Sequence, residues 1–174
     1  MMSDEPQSPY RAARRAFIAA CEAAHVESVA RLNPAKCADG KPLFMDCAAL
    51  GPRHAQKAML LVAQDAAGAG MLTVLLRTPQ PVPPDARLVL VHALDPAAFA
   101  GVAGDPIWPS AMLGAVATED LPKVRDLAVL ALDGTGESLE PVLQAQLPRA
   151  KIRTLPPARD AAEARDAIAG FFGQ

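Results

Sequence analysis

The stretch Ala58-Met59-Leu60-Leu61-Val62-Ala63 decides the fold of this 174-residue chain. It is apolar throughout, and a short continuous apolar run is typical of a strand that is covered on both faces of a sheet. Three more segments share this character, the last of them weakly: 88–91, 127–132 and 151–155. Helical patterning appears around them, at 71–77, 96–102, 121–125, 139–146 and 159–172. The alternation predicts an α/β fold, with a mainly parallel or mixed sheet and helices on both faces.

The N-terminal part of the chain predicts a helix followed by a hairpin. Ser8 is a good N-cap and Pro9 a good first helical residue, and apolar side chains then recur at helical spacing toward His25. A strand, a turn and a second strand are expected next, at 26–30, 33–41 and 43–48. The N-terminal helix and hairpin therefore precede the alternating part of the chain.

The length of the chain fits one domain. We expect residues 1–8 to be disordered and residues 9–174 to form a single α/β domain. The proline-rich stretch 79–84 is then a stiff connector, because too little chain lies on either side of it for two cores. Hydrophobic residues make up 51% of the chain but aromatic residues only 4%, so the core must be built mainly from aliphatic side chains.

Charge and hydropathy exclude several partners. The chain has 17 Lys and Arg against 19 Asp and Glu, a formal net charge of -2, so no overall positive field attracts nucleic acid or an anionic membrane. Its apolar runs are too short to span a bilayer, and the acidic N-terminus is unlike a secretory signal.

The chain has three cysteines, an odd number without a Cys-x-x-Cys pair, and this favours reduced thiols over disulfides. We expect a cytoplasmic protein.

Four motifs of the N-terminal half resemble those of a known family. They are Tyr10-Arg11-Ala12-Ala13-Arg14-Arg15-Ala16-Phe17, Gly40-Lys41-Pro42-Leu43, Asp46-Cys47-Ala48-Ala49-Leu50-Gly51-Pro52 and Val91-His92-Ala93-Leu94-Asp95-Pro96, with Phe99 close behind. In this order they are similar to the motifs of a bacterial branch of the zinc-carboxypeptidase-like hydrolases, whose members are mostly uncharacterised. The resemblance covers residues 10–99 and implies the fold of that family.

The sequence departs from the family where the resemblance implies a zinc site. Active members bind zinc through a His and a Glu in the loop after the first apolar strand, and through a later His. A hydrolytic zinc ion needs three protein ligands and an open position. Aligned on Gly68, the corresponding positions carry Ala67, Gly70 and, for the later ligand, Gly134, and 152–156 has no counterpart of the catalytic Glu. The resemblance thus implies a shortened relative without catalysis, metal or cofactor.

A displaced zinc site is an alternative with little support. Cys21 and His25 are four residues apart on the first helix, and Cys37 and Cys47 follow. Their spacing fits no compact zinc pattern, and Cys21 falls on the buried stripe of the helix, where a free cysteine usually acts as a small hydrophobic residue.

The edge at which the parallel strands end is the expected place for a ligand. Asp65 follows one strand and His92 ends another, so they could meet there, although a structural hydrogen bond is the favoured role of His92. After a third strand comes Asp133-Gly134-Thr135-Gly136-Glu137-Ser138, a Gly-rich turn of the kind that binds anions through backbone N–H groups. It matches no nucleotide-binding motif, no serine has the setting of a hydrolase nucleophile, and Ser138 can simply cap the next helix. The candidate ligand-binding residues are Asp65, His92, Asp133, Gly134 and Ser138.

Trp108 and Met112 are candidates for an interface. Trp108 is expected in an irregular segment, where an aromatic side chain either covers the core or anchors a partner. If the family's substrate-binding insert is lost, the face it covered would favour a homodimer.

Two functional hypotheses follow. The first is a non-catalytic, metal-free binding or interaction module with a homo-oligomeric or protein partner. The alternative is a small hydrolase or an anion- or nucleotide-binding protein that uses the edge at which the parallel strands end.

Overall fold

The structure is a computed structural model that describes residues 8–37, 39–132 and 139–173. Its elements, in chain order, are α1 (Pro9–Ala23), β1 (Ser28–Lys36), β2 (Pro42–Leu50), β3 (Lys57–Ala63), α2 (Ala66–Arg77), β4 (Arg87–His92), α3 (Pro96–Phe99), α4 (Trp108–Asp120), β5 (Asp126–Ala131), α5 (Glu140–Gln146), β6 (Lys151–Thr154) and α6 (Ala161–Phe172). This arrangement confirms the predicted α/β fold.

The strands form one mixed sheet in the order β1-β2-β4-β3-β5-β6. β1 and β2 are antiparallel, as are β2 and β4, whereas β4, β3, β5 and β6 run parallel to one another. Ala63 at the end of β3 pairs with His92 at the end of β4, and Val62 pairs with Ala131 of β5. The three central strands therefore end side by side, at what we call the carboxyl edge.

Helices cover both faces of the sheet because successive side chains of the buried strands point to opposite sides. Met59 and Leu61 of β3 pack with residues of α1, α2 and α6. Leu60 and Val62 pack instead with residues of α4 and α5. Among the described residues, no helix is both long and apolar enough to cross a membrane.

Side-chain caps fix the starts of four helices, among them α3, which is capped by Asp95. The Ser8 hydroxyl accepts a hydrogen bond from the backbone N–H of Arg11, which confirms the predicted start of α1. Asp65 and Asp160 do the same at the starts of α2 and α6. These caps satisfy N–H groups that have no partner inside the helix.

β1 is longer than predicted, because it continues through Asn33 and Pro34, which the sequence assigned to a turn. Proline is tolerated at this place since β1 is an edge strand, and the pairing register shifts between Asn33 and Lys36. The side chain of Asn33 accepts a hydrogen bond from the N–H of Ala35 at 2.8 Å.

The helix predicted at 121–125 is wrong, since these residues form a turn, and the helix lies just before them as α4. Trp108 is accordingly the first residue of α4, not part of an irregular segment. Pro109 is compatible with the first turn, because N–H groups there need no intrahelical partner. Leu113, Val116 and Ala117 form the buried stripe of this helix.

Candidate functional site

A pocket of about 220 Å³ opens at the carboxyl edge, between the residues that follow β3 and β4 and the helices α4 and α5. Five apolar residues line it: Leu94, Pro109, Leu113, Leu139 and Val142. Three polar residues complete the lining: Gln64, Asp95 and Ser110. We call this the edge pocket. Its position agrees with the general place of ligands in α/β sheets.

Gln64 and Asp95 lock together the residues that follow β3 and β4. The side-chain amide of Gln64 accepts a hydrogen bond from the N–H of Asp95 at 2.9 Å and donates one to the carbonyl of Asp95 at 3.2 Å. The Asp95 carboxylate accepts a hydrogen bond from the N–H of Ala98 at 3.1 Å and caps α3. Nearby, Ala93 has a φ of 57°, a left-handed conformation that costs a non-glycine residue about 1 kcal/mol. The backbone at Asp95 is therefore held in one arrangement.

Asp65 serves the fold as the N-cap of α2. It is exposed, and one of its carboxylate oxygens accepts a hydrogen bond from the N–H of Gly68 at 2.7 Å. Ala67 and Gly70, at the positions of two implied zinc ligands, lie in the first turns of α2. Across residues 8–37, 39–132 and 139–173, no group of three or more His, Cys, Asp or Glu side chains could hold a metal ion. The described residues of this edge do not fit the implied zinc site.

His92 and Asp65 do not form a common exposed site, because His92 is wholly buried under α1 whereas Asp65 is exposed. Its ring stacks on Phe17 with centroids 5.0 Å apart. Its Nδ1 lies 4.0 Å from a carboxylate oxygen of Asp46, which is too far for a hydrogen bond. Neither ring nitrogen has a hydrogen-bond partner within the described part of the chain, so the structure does not show the hydrogen bond expected for His92.

Arg14 and Asp46 form the strongest polar contact under α1. The guanidinium donates to both carboxylate oxygens, at 2.7 and 3.0 Å, and Asp46 is fully buried. The Tyr10 hydroxyl donates to the carbonyl of Phe44 at 2.8 Å and accepts from its N–H at 2.7 Å. We call Tyr10, Arg14, Asp46 and His92 the α1 clamp. Three of the four motifs that carry the family resemblance contribute to it, and its contacts join α1 to the sheet.

Burial governs the protonation of the clamp. It lowers the pKa of His92 to about 4, and the positive charge of Arg14 acts in the same direction. Burial also raises the pKa of Tyr10. Both groups are therefore neutral near pH 7, and the charges of the clamp are those of Arg14 and Asp46.

The cysteines do not form the alternative zinc site. Cys21 packs in the core on the α1 face of the sheet and Cys47 in the core on the α4 face, so one metal ion cannot bind both. Burial raises the pKa of the Cys21 thiol to about 11 and also raises that of Cys47. Both thiols are therefore protonated near neutral pH, whereas a metal binds the thiolate.

Three of the candidate ligand-binding residues, Asp133, Gly134 and Ser138, lie outside the described residues. Gln64, Asp95 and Asp46 are polar residues that sequence reasoning did not name as candidate site residues. Gln64 stands directly after an apolar strand, which is the signal that could have found it. Asp46 was part of a motif, but its partner Arg14 is 32 residues away, and nothing in the sequence pairs them.

A second, larger cleft of about 630 Å³ lies at the opposite edge of the sheet. Arg31 and Arg87 form ion pairs there with Glu119 and Asp120 at the end of α4. Arg53 donates to the backbone carbonyl of Glu119. Positive side chains near a helix C-terminus are attracted by the negative end of the helix dipole. The role of these arginines is therefore to hold the end of α4 against the sheet.

Comparison with known proteins supports both the family and the fold. The model of a family described as "Protein of unknown function (DUF2817)" matches residues 7–102, a range that includes all four motifs. None of the curated proteins matches the sequence. The structure of a putative zinc-dependent exopeptidase from Bacteroides vulgatus is similar, with a TM-score of 0.53 and 10% identity over 97% of this chain and 88% of that one. The glutaminyl cyclase of Porphyromonas gingivalis gives a TM-score of 0.47 and 16% identity over 97% and 73%. At such identities the exopeptidase structure shows a shared fold alone.

Proposed function

We propose that this chain, which belongs to the DUF2817 family of proteins of unknown function, is a non-catalytic binding module that takes its ligand in the edge pocket. One observation carries the proposal: each of the polar side chains that follow β3 and β4 makes a hydrogen bond that holds backbone groups in place. Gln64 holds Asp95, and Asp65 and Asp95 cap helices. The pocket between them is mainly apolar, which suits binding better than acid–base chemistry.

The similarity to a putative zinc-dependent exopeptidase supports the fold and not an activity. Ala67 and Gly70 occupy the positions at which the family resemblance implies two zinc ligands, and neither residue has a metal-binding side chain. A carboxypeptidase-like fold with such replacements is one on which binding can persist without hydrolysis.

The test is a peptidase assay on the purified full-length protein, with unblocked and C-terminally amidated tripeptides, with and without added zinc. We expect no hydrolysis above the buffer rate and no zinc-dependent rise in melting temperature. Hydrolysis that needs zinc and is abolished by a chelator would overturn the proposal. An Asp65→Asn variant is the internal check, because Asn keeps the helix cap but removes the one exposed carboxylate that the described part of this edge offers as a zinc ligand.

We further propose that the start of α4 is the surface for a second copy of the chain. Trp108 and Met112 are half-buried against the α4 face of the core, and the adjacent Ile107 is 72% exposed. Light scattering should show a dimer that Ile107→Asp abolishes. Val74→Asp is the matched control, because Val74 is 46% exposed on α2, a different helix. A wild-type monomer at high micromolar concentration would contradict this part of the proposal.

A further inference from the structure

The charges around the edge pocket are arranged along the direction of the parallel strands. The stretches 58–76, 88–122 and 126–148, which hold β3, β4, β5 and the helices after them, contain no Lys or Arg. A basic residue immediately precedes each stretch: Lys57, Arg87 and Arg125. Basic side chains therefore mark the edge where these strands begin. The charged side chains that directly follow β3 and β4 at the carboxyl edge are the carboxylates Asp65 and Asp95, whereas Glu119 and Asp120 of the second stretch lie in ion pairs at the opposite edge. These carboxylates give the carboxyl edge a local field that favours cations.

Asp95 is the carboxylate of this field that lines the pocket. Its backbone is held on both sides by Gln64, and its Oδ1 accepts the hydrogen bond from Ala98. Its other carboxylate oxygen makes no hydrogen bond or ion pair to any residue that the structure describes. Asp95 therefore has one charged acceptor in a fixed position, half-buried beside apolar side chains.

The remaining lining sets the shape of the ligand. A volume of about 220 Å³ has room for about seven water-sized groups. Leu94, Leu113, Leu139 and Val142 offer it an apolar surface, and Ser110 is the exposed polar group. A ligand that fits must be small, mainly apolar and positively charged at one end.

Resting on the proposed binding function, we propose that the edge pocket binds a primary ammonium group carried on a short apolar chain. The ammonium donates to the free oxygen of Asp95, and the apolar chain packs on Leu113 and Val142. A charge-assisted hydrogen bond of this kind is stronger than a neutral one, and partial burial strengthens it further. A free alkylamine and a lysine side chain of a peptide share this chemistry.

The test is an NMR titration of methyl-labelled full-length protein with n-hexylammonium chloride, 1-hexanol and sodium hexanoate. We expect hexylammonium to shift the methyl signals of Leu113 and Val142. 1-Hexanol should bind at least about tenfold more weakly than hexylammonium, and hexanoate should not bind. Asp95→Asn should weaken hexylammonium by at least about tenfold, because Asn keeps the α3 cap but loses the charge.

Asp105→Asn is the matched control. Asp105 accepts a hydrogen bond from the N–H of Ile107 before α4, much as Asp95 does before α3, but it does not line the pocket. Its replacement should leave hexylammonium binding within twofold. A capped pentapeptide with a central lysine separates the two sources: tighter binding than hexylammonium indicates a side chain of a partner, and weaker binding indicates a free amine.

The outcomes separate this inference from the binding function on which it rests. Equal binding of 1-hexanol and hexylammonium, unaffected by Asp95→Asn, would overturn the ammonium assignment and leave a binding pocket in place. No binding of hexylammonium would overturn it as well. Zinc-dependent peptide hydrolysis would overturn the proposed function itself, and it is measured independently of these probes.

Discussion

His92 is a buried histidine whose two ring nitrogens have no hydrogen-bond partner among the described residues. Its ring packs against Phe17, and Tyr10 and Phe99 lie within 6.4 Å, measured between ring centroids. Burial in this site accommodates a neutral imidazole but disfavours an imidazolium, which would lose its hydration and face the positive charge of Arg14. Near pH 7 the side chain therefore contributes as a flat apolar ring.

The stability of the protein should consequently fall in mild acid. Unfolded His92 has a pKa near 6.5 and the folded residue one of about 4, so between these values the unfolded chain binds a proton that the folded chain does not. The linked loss as pH falls from 6.5 to 4 is at most about 3 kcal/mol. In urea unfolding between pH 6.5 and 4, the free energy of unfolding should fall less steeply with decreasing pH for His92→Phe than for the wild type. The exposed His54, changed to Gln, is the control, and equal slopes for His92→Phe and wild type would contradict the assignment.

Gly51 is a position where only glycine fits. Its φ is 92°, and a Cβ there would lie 2.0 Å from the carbonyl oxygen of Ala86. We expect Gly51→Ala to destabilise the protein by at least about 3 kcal/mol in urea unfolding, because strain and overlap add. Gly70→Ala is the matched control: apart from its chain neighbours and the backbone of its own helix, no atom lies within 4 Å of its Cβ, and α2 should gain about 0.5–1 kcal/mol. Similar midpoints for the two variants would refute the close approach.

At the scale of elements, the α1 clamp attaches α1 to β2 and β4. Asp46 of β2 pairs in register with His92 of β4, and Arg14 reaches Asp46 from α1. The guanidinium also lies 4.4 Å from the centre of the Phe44 ring. One side chain thus joins the helix to the sheet through an ion pair and an aromatic contact.

Removal of Arg14 should therefore cost much more than removal of its neighbour. Arg14→Met leaves the buried Asp46 charge unpaired, and we expect a loss of about 3 kcal/mol in the free energy of unfolding. Asp46→Asn in the same background should restore part of this loss, because it removes the uncompensated charge. Arg15→Met, on the exposed side of α1, should stay within about 0.5 kcal/mol of wild type. Equal effects of the two arginine variants would contradict the clamp.

The sequence predicted the helices and strands whose residue pattern is local. It did not predict features that depend on contacts between distant parts of the chain. β3, β4 and β5 were found because their apolar runs are continuous, and α1 and α6 because their buried stripes have helical spacing. α4 was missed because small and apolar residues surround its whole circumference, so no period stands out, and Pro109 resembled a helix breaker. Of the site, the edge was predictable from the parallel strands. The pairing of Gln64 with Asp95 was not, because it depends on how two distant loops meet.

At the scale of the whole molecule, the sheet divides into two parts that follow the order of the chain. The first four strands occupy one side as β1-β2-β4-β3, and β5 and β6 add outward from β3. The family match over residues 7–102 covers the first part together with α1, α2 and α3. The segment that carries the family signature therefore forms four contiguous strands of the six-stranded sheet.

This order has a consequence for synthesis on the ribosome. By the time β4 has emerged, each of the first four strands has its neighbour, and no pairing has to be broken to admit a later strand. β5 and then β6 can each add to an open edge as they appear. β4 enters between β2 and β3, and the sheet then extends outward from β3, so the edge of β3 that pairs with β5 stays exposed until β5 has been made.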